Sequence, residues 1–351
     1  MTQFLVVSAF HFSQPCDNLH FMFSAPPSAY WDQHPYDVRC EWGPRGVAAL
    51  APVSDVVIIV DVISFCTCVD IAVARGATVY PFGSGDEGAA DFARSIGGEL
   101  VGLGHERLRF SAAAMLTVQA GARLVLPSPN GGTLSALAAG AAFSPLPNPP
   151  PEGEGTRGPL PNPLPVGEGW GEGLRRWRAR LGPRGRAAEP GPATLPVTQP
   201  SAAVQPLPVG PLLPPSAGPV FFAGCLRNAR AVAAAAARAG QRVAVIPAGE
   251  RWREDAHGDR SLRPAAEDLI GAGAIIDRLT GRRSPEAELA VAAFRVARDR
   301  LPAFLLACSS GREHAAKGTE GDMTLAAQLD VSDFAPRLVA GAFVAGAGDG
   351  P

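Results

Sequence analysis

The clearest pattern along the chain is Val56-Val-Ile-Ile-Val60, five β-branched apolar residues without a break. A half-exposed strand alternates apolar with polar residues, so an unbroken run predicts a strand buried on both faces. Asp61 ends the run, where a strand leaves its sheet, and its carboxylate needs partners if it stays buried. Thr67 is placed to cap a helix running through Ala74. Gly76 then ends that helix with a left-handed turn.

The same rhythm repeats on both sides. Residues 36–42 alternate well enough for an edge strand, and Gly43-Pro44-Arg45-Gly46 reads as a turn. Strands are expected at 78–81, 123–127, 220–224 and 242–247, and one last strand at 336–344. Helices are expected at 87–96, after the capping residue Ser111, to Ala139, to Gly240, from Pro264 through Ile276, over 284–300 and over 323–329. Strands alternating with helices predict an α/β protein.

The rhythm stops between 144 and 219. Residues 145–155 return nearly unchanged as 159–169, and Pro, Gly and Ala dominate the remainder of the stretch, apart from a basic patch around 175–186. Such composition buries too little apolar surface to offset chain entropy, so a disordered insertion is expected there. Residues 1–34, without sustained period, are expected to be a disordered leader, and 346–351 a flexible tail. The ordered unit is then 35–143 joined to 220–345.

Composition narrows the possibilities. With 46% hydrophobic and 18% charged residues among 351, the chain has the apolar material for a large core. A net charge of −2 gives no electrostatic case for nucleic acid or an anionic membrane. No uninterrupted apolar stretch is long enough to span a bilayer, and the amino terminus lacks a secretion signal. The six cysteines (Cys16, Cys40, Cys66, Cys68, Cys225, Cys308) follow no zinc spacing and read as reduced, buried thiols. A cytoplasmic location is expected; self-association is left open.

Candidate chemistry lies at the strand ends, where open α/β sheets gather ligands. They present Asp61, then Asn130-Gly131 with Thr133 beyond, then Arg227-Asn228, then the loop after Gly249 followed by Glu267-Asp268. A polar turn from Ser309 to Arg312 comes after these. Taken singly, each has an ordinary structural explanation: a capping aspartate, a tight turn, a solvated charged loop, acids complementing a helix dipole. Together, acids for a divalent metal, amides for an oxyanion and guanidinium groups for a planar anion suit a phosphate ester. Oxygen-only donors favour Mg²⁺ over zinc.

These residues also resemble a known family. Asp61-Val62-Ile63 with Thr67, Asn130-Gly131, Gly224-Cys-Leu-Arg-Asn228-Ala229, Glu267-Asp268 with Gly271 and Gly273, and Ser310-Gly311-Arg312 with Gly318 and Asp322 occur in the order found in 2-phosphosulfolactate phosphatases. The resemblance implies a three-layer, two-lobed α/β fold with mixed β-sheets and the site between the lobes. It further implies a Mg²⁺-dependent phosphatase converting 2-phospho-3-sulfolactate to 3-sulfolactate and phosphate, on a route to coenzyme M. Carried over by position, Asp61, Glu267 and Asp268 become the catalytic and metal-binding acids. Asn130, Gly131, Arg227, Asn228, Ser310 and Arg312 become the substrate contacts. The chain departs from the family where an arginine usually stands three residues after the first aspartate; here it is Ser64. Gly132 likewise stands where a hydroxyl residue is usual, with Thr133 one place later.

Two other readings compete. A haloacid-dehalogenase arrangement also starts from a strand-end aspartate, but needs a second carboxylate two residues on, where this chain has Ile63. A non-catalytic or substrate-shifted descendant that binds a small anionic metabolite fits Ser64.

Overall fold

The computed structural model describes residues 30–83, 88–102, 108–141, 218–252 and 261–346. The expected insertion at 144–219 falls almost wholly outside these residues, as do 1–29 of the leader and the last five of the tail.

The first half comprises β1 (Val38–Cys40), α1 (Gly43–Leu50), β2 (Val56–Val60), α2 (Phe65–Ala74), β3 (Thr78–Gly83), α3 (Ala89–Ser95), β4 (Glu99–Gly102), β5 (Leu108–Arg109), α4 (Ala112–Met115), β6 (Arg123–Ser128) and α5 (Gly131–Ala141). The second comprises β7 (Val220–Gly224), α6 (Ala229–Ala239), β8 (Val243–Pro247), β9 (Glu250–Arg251), β10 (Leu262–Arg263), α7 (Ala266–Ile276), α8 (Pro285–Ala297), α9 (Leu301–Ala307), α10 (Ser309–Ala316), α11 (Glu320–Ala326), β11 (Arg337–Val339) and β12 (Ala342–Val344).

Ten of the strands form one sheet in the order β1-β8-β2-β7-β11-β12-β3-β6-β4-β5, and β9 pairs with β10 separately. On either side of the hairpin β11–β12 the strands are parallel, as sequential β-helix-β connections require. The hairpin is antiparallel to β7 on one side and to β3 on the other. The mixed α/β class expected from the sequence is what the structure has. Its main strands form one continuous sheet, so a division into two lobes does not follow from it.

The pattern of β2 explains the layers. All five of its residues are buried. Val56, Ile58 and Val60 face a core shared with α6, α7, α8 and α9, whereas Val57 and Ile59 face a second core with α1, α2, α4 and α5. Val79, Leu124 and Leu126 of β3 and β6 join that second core. The helices α1, α2, α4 and α5 therefore share one core with strands of both parallel halves, and α3 packs in a separate small cluster with β3 and β6.

Several expected elements change. Gly43 and Pro44 open α1 rather than forming a turn, with Gly43 in a left-handed backbone conformation (φ +58°) and Pro44 in the first turn. Ser64, not Thr67, precedes α2, and the Thr67 hydroxyl donates inside that helix to the Val62 carbonyl. Ser309–Ala316 is a helix rather than a turn. The last strand is two, reversed at Ala340 and Gly341, both with positive φ. Residues 30–34 are part of the fold: the Gln33 amide donates to the Cys40 carbonyl (2.7 Å) and accepts from its N–H (3.0 Å), sealing the edge of β1. No helix among the described residues is long and apolar enough to cross a membrane. Cys40, Cys66, Cys68 and Cys225 are buried and unpaired, and burial pushes all four thiols well up.

Candidate active site

The carboxyl ends of β2, β6 and β8 meet. Asp61 follows β2 directly and is 3% exposed. Its Oδ2 accepts the Gly131 amide (2.9 Å) from the start of α5, and its Oδ1 accepts the Phe65 amide (3.0 Å) from the start of α2. Glycine is required at 131 because a Cβ there would lie 2.6 Å from the Phe65 ring and 2.7 Å from Asp61 Oδ2. Burial, and after it the negative charge of Glu267, pushes the Asp61 carboxyl up to about 6 against the opposing pull of the two amides.

Asp268, in the first turn of α7, spans two strand ends. Its Oδ1 accepts the Val62 amide and its Oδ2 the Gly249 amide, both at 2.8 Å. Gly249 has a left-handed backbone (φ +68°), and a Cβ on it would meet Leu262 and the Arg263 carbonyl within 3.0 Å. Burial, then Asp61 and Glu267, raise the Asp268 carboxyl well above the usual range. Glu267 beside it is 1% exposed, and its Oε1 has no hydrogen-bond partner.

Glu250 completes the acidic group. It opens β9 just past β8, accepts from the Asn130 amide nitrogen at 2.8 Å, and is pushed up to about 7, chiefly by burial and next by the charge of Asp61. The oxygen of the same Asn130 amide is buried without a partner. Nothing in the sequence reading singled out Glu250. The signal was there: it is the first acid after a strand end, the rule that selected Asp61, but the charged loop around it reads as solvated surface.

Asp61, Ser64, Asn130, Glu250 and Ser310 line a pocket of about 710 Å³. Arg109, Glu313, His314, Lys317 and Asp322 are also in its lining. Ser310, in the first turn of α10, lies 3.4 Å from an Arg263 nitrogen through its hydroxyl. Asp322 accepts from the Ser111 hydroxyl (3.1 Å) and the Ala113 amide (2.9 Å), tying α11 to α4. His314 is held by the Thr319 hydroxyl at 2.9 Å, and burial lowers its affinity for a proton.

Three expected substrate contacts stand elsewhere. Arg227 bonds Asp70 Oδ2 (3.0 Å), the Leu325 carbonyl and the Gln328 side chain. Asp70 is wholly buried in α2, and an unpaired carboxylate there would be costly, which explains the guanidinium. Asn228 closes the β7–α6 turn, accepting from Cys225 N (2.9 Å) and donating to the Ala223 carbonyl. Arg312 is exposed on α10 and is not part of the pocket wall.

Residues 216–341 match the model of the 2-phosphosulpholactate phosphatase family. No curated protein matches the chain. The matched stretch runs from before β7 into the β11–β12 turn and contains Glu250, Glu267, Asp268 and Ser310; Asp61 and Asn130 lie before it. Over that stretch the chain is similar to phosphatases.

Among the described residues no three His, Cys, Asp or Glu side chains form a ready metal cage. The donor set nevertheless suits a hard cation. Mg²⁺ retains waters and takes only one or two carboxylates, with substrate phosphate completing its shell. Acids crowded until their protons are held more tightly, beside partnerless oxygens on Asn130 and Glu267, are what such an ion relieves.

Proposed function

We propose that the protein is a Mg²⁺-dependent phosphatase acting on the phosphate monoester of a small 2-hydroxy acid, with 2-phospho-3-sulfolactate as the first candidate. The observation that carries this reading is the meeting of Asp61, Asn130 and Glu250 in the lining of one pocket, with Asp268 bonded to the Val62 amide beside Asp61 and the charge of Glu267 acting on Asp61. The match over 216–341 supports the same class of reaction.

Asp61, Glu250 and the Asn130 oxygen would hold the ion. Glu267 and Asp268, the other acids expected to ligate it, contribute negative charge beside them. Bound there, Mg²⁺ supplies Lewis-acid polarisation of the phosphoryl oxygens. The chain's own part is orientation. The Gly131 and Phe65 amides fix both oxygens of Asp61, and the Asn130 nitrogen fixes one oxygen of Glu250. Before positive charge enters, Asp61 and Glu250 take up protons as pH falls through about 6 and about 7, and a bound cation would displace them.

The test is phosphate release from 2-phospho-3-sulfolactate with Mg²⁺ and with EDTA. Turnover that EDTA abolishes and that Asp61→Asn lowers by about a hundredfold or more supports the reading. Binding of the ester with no turnover at any divalent ion overturns it in favour of a non-catalytic binder of small anions, the reading that Ser64 on the pocket wall favours.

A further inference from the structure

The pocket lining is chemically mixed. Asp61 and Glu250 share it with Arg109, His314 and Lys317, and with the further acids Glu313 and Asp322. A volume of about 710 Å³ exceeds what a phosphoryl group fills, so an ester in it reaches beyond the acids.

The three cationic or polar groups Arg109, His314 and Lys317 are not equivalent. Lys317 is already answered by Glu313 at 2.8 Å. His314 holds the Thr319 hydroxyl through Nδ1, and burial disfavours its charged form. Arg109 has no ion-pair partner among the described residues. Its backbone is nonetheless fixed. Leu108 and Arg109 pair with Val101 and Gly102, the Phe110 amide donates to Gly102 O at 2.7 Å, and Ser111 and Ala113 are both held by Asp322, which is 4% exposed. A guanidinium with free donors, on an anchored backbone and facing a pocket, is suited to a bidentate oxyanion.

Resting on the phosphatase reading of this site, the geometry points to Arg109 as the residue that grips a second acidic group, a carboxylate or sulfonate, on the substrate whose phosphoryl group lies at the Asp61 side. Ser64, in the same lining, is neutral and offers no charge to such a group. Selectivity for acid-bearing esters over simple ones then depends on the 108–113 segment rather than on the β2–α2 turn.

The test compares wild type, Arg109→Ala and Arg109→Lys on three esters: 2-phospho-3-sulfolactate, 2-phospholactate and p-nitrophenyl phosphate. A lost charge-assisted pair corresponds to about ten- to hundredfold in affinity. Arg109→Ala is therefore expected to raise KM for the first ester by about that factor, with kcat changing far less. Its preference over p-nitrophenyl phosphate should fall in proportion, and Arg109→Lys should recover part of it. Loss on both acid esters identifies the carboxylate as the gripped group; loss on the sulfonate alone identifies the sulfonate. Equal effects on all three esters, or none, overturn the assignment. Should wild type hydrolyse no ester, calorimetry with 3-sulfolactate in EDTA decides separately. Binding weakened by Arg109→Ala upholds Arg109 while the phosphatase reading falls. Binding that ignores the substitution, or no binding, overturns both.

Discussion

One carboxylate, Asp268, holds the backbone amides of Val62 and Gly249, one on each oxygen at 2.8 Å. The ends of β2 and β8, which deliver Asp61 and Glu250, are thereby fixed relative to each other by a third element. Asp268→Asn keeps the shape but turns an NH₂ toward an amide that needs an acceptor. The expected loss is about 1–3 kcal/mol of stability, read from urea unfolding, with turnover falling further than stability does.

Gly131→Ala tests the other side of the same junction. Its Cβ would enter the space of the Phe65 ring and Asp61 Oδ2, both buried. The Asp61 contact cannot survive unchanged, and overpacking of this kind costs about 1–3 kcal/mol. Loss of nearly all phosphate release, in a protein that still unfolds cooperatively, is the expected outcome.

Arg227 and Arg312 should separate cleanly. Arg227→Met strands the buried Asp70 carboxylate and is expected to cost about 3–5 kcal/mol, with Asp70→Asn in the same chain restoring part of it. Arg312→Ala removes an exposed side chain outside the pocket wall and should stay within about 0.5 kcal/mol of wild type. Urea midpoints of the four proteins check both statements.

The acids also predict how stability depends on pH. Asp61, Glu250 and Asp268 all have raised folded-state pKa values, so folding favours their protonated forms. In EDTA their contribution is fully present below the ordinary carboxylate range and is lost as pH climbs through about 6 and about 7. Added Mg²⁺ should therefore raise the unfolding temperature more at pH 8 than at pH 5. A Mg²⁺ effect independent of pH would count against a cation among these acids.

Much of this was legible from residue pattern alone. The run Val56–Val60 could only be a doubly buried strand, and Asp61 at its end was bound to need partners. Ser111 did cap α4, accepting from the Ala114 amide. Pairings across the chain were not legible. That Arg227 would face Asp70, 157 residues away, leaves no mark in local composition, so Arg227 reads from sequence as a substrate contact and Asp70 is not singled out. Glu250 was hidden among neighbouring charges, although its position after β8 obeys the strand-end rule. The β11–β12 reversal at Ala340-Gly341 lacks the Asn-Gly or Asp-Gly signature that announces such turns, so two short strands read as one.

The hairpin that joins the two parallel halves is made of residues 337–344, far down the chain. Until a ribosome has released them, β7 and β3 each keep a raw border of unspent amides and carbonyls, open to any other nascent chain. A stop codon before position 337 would leave every acid of the pocket encoded, yet yield a polypeptide expected to clump.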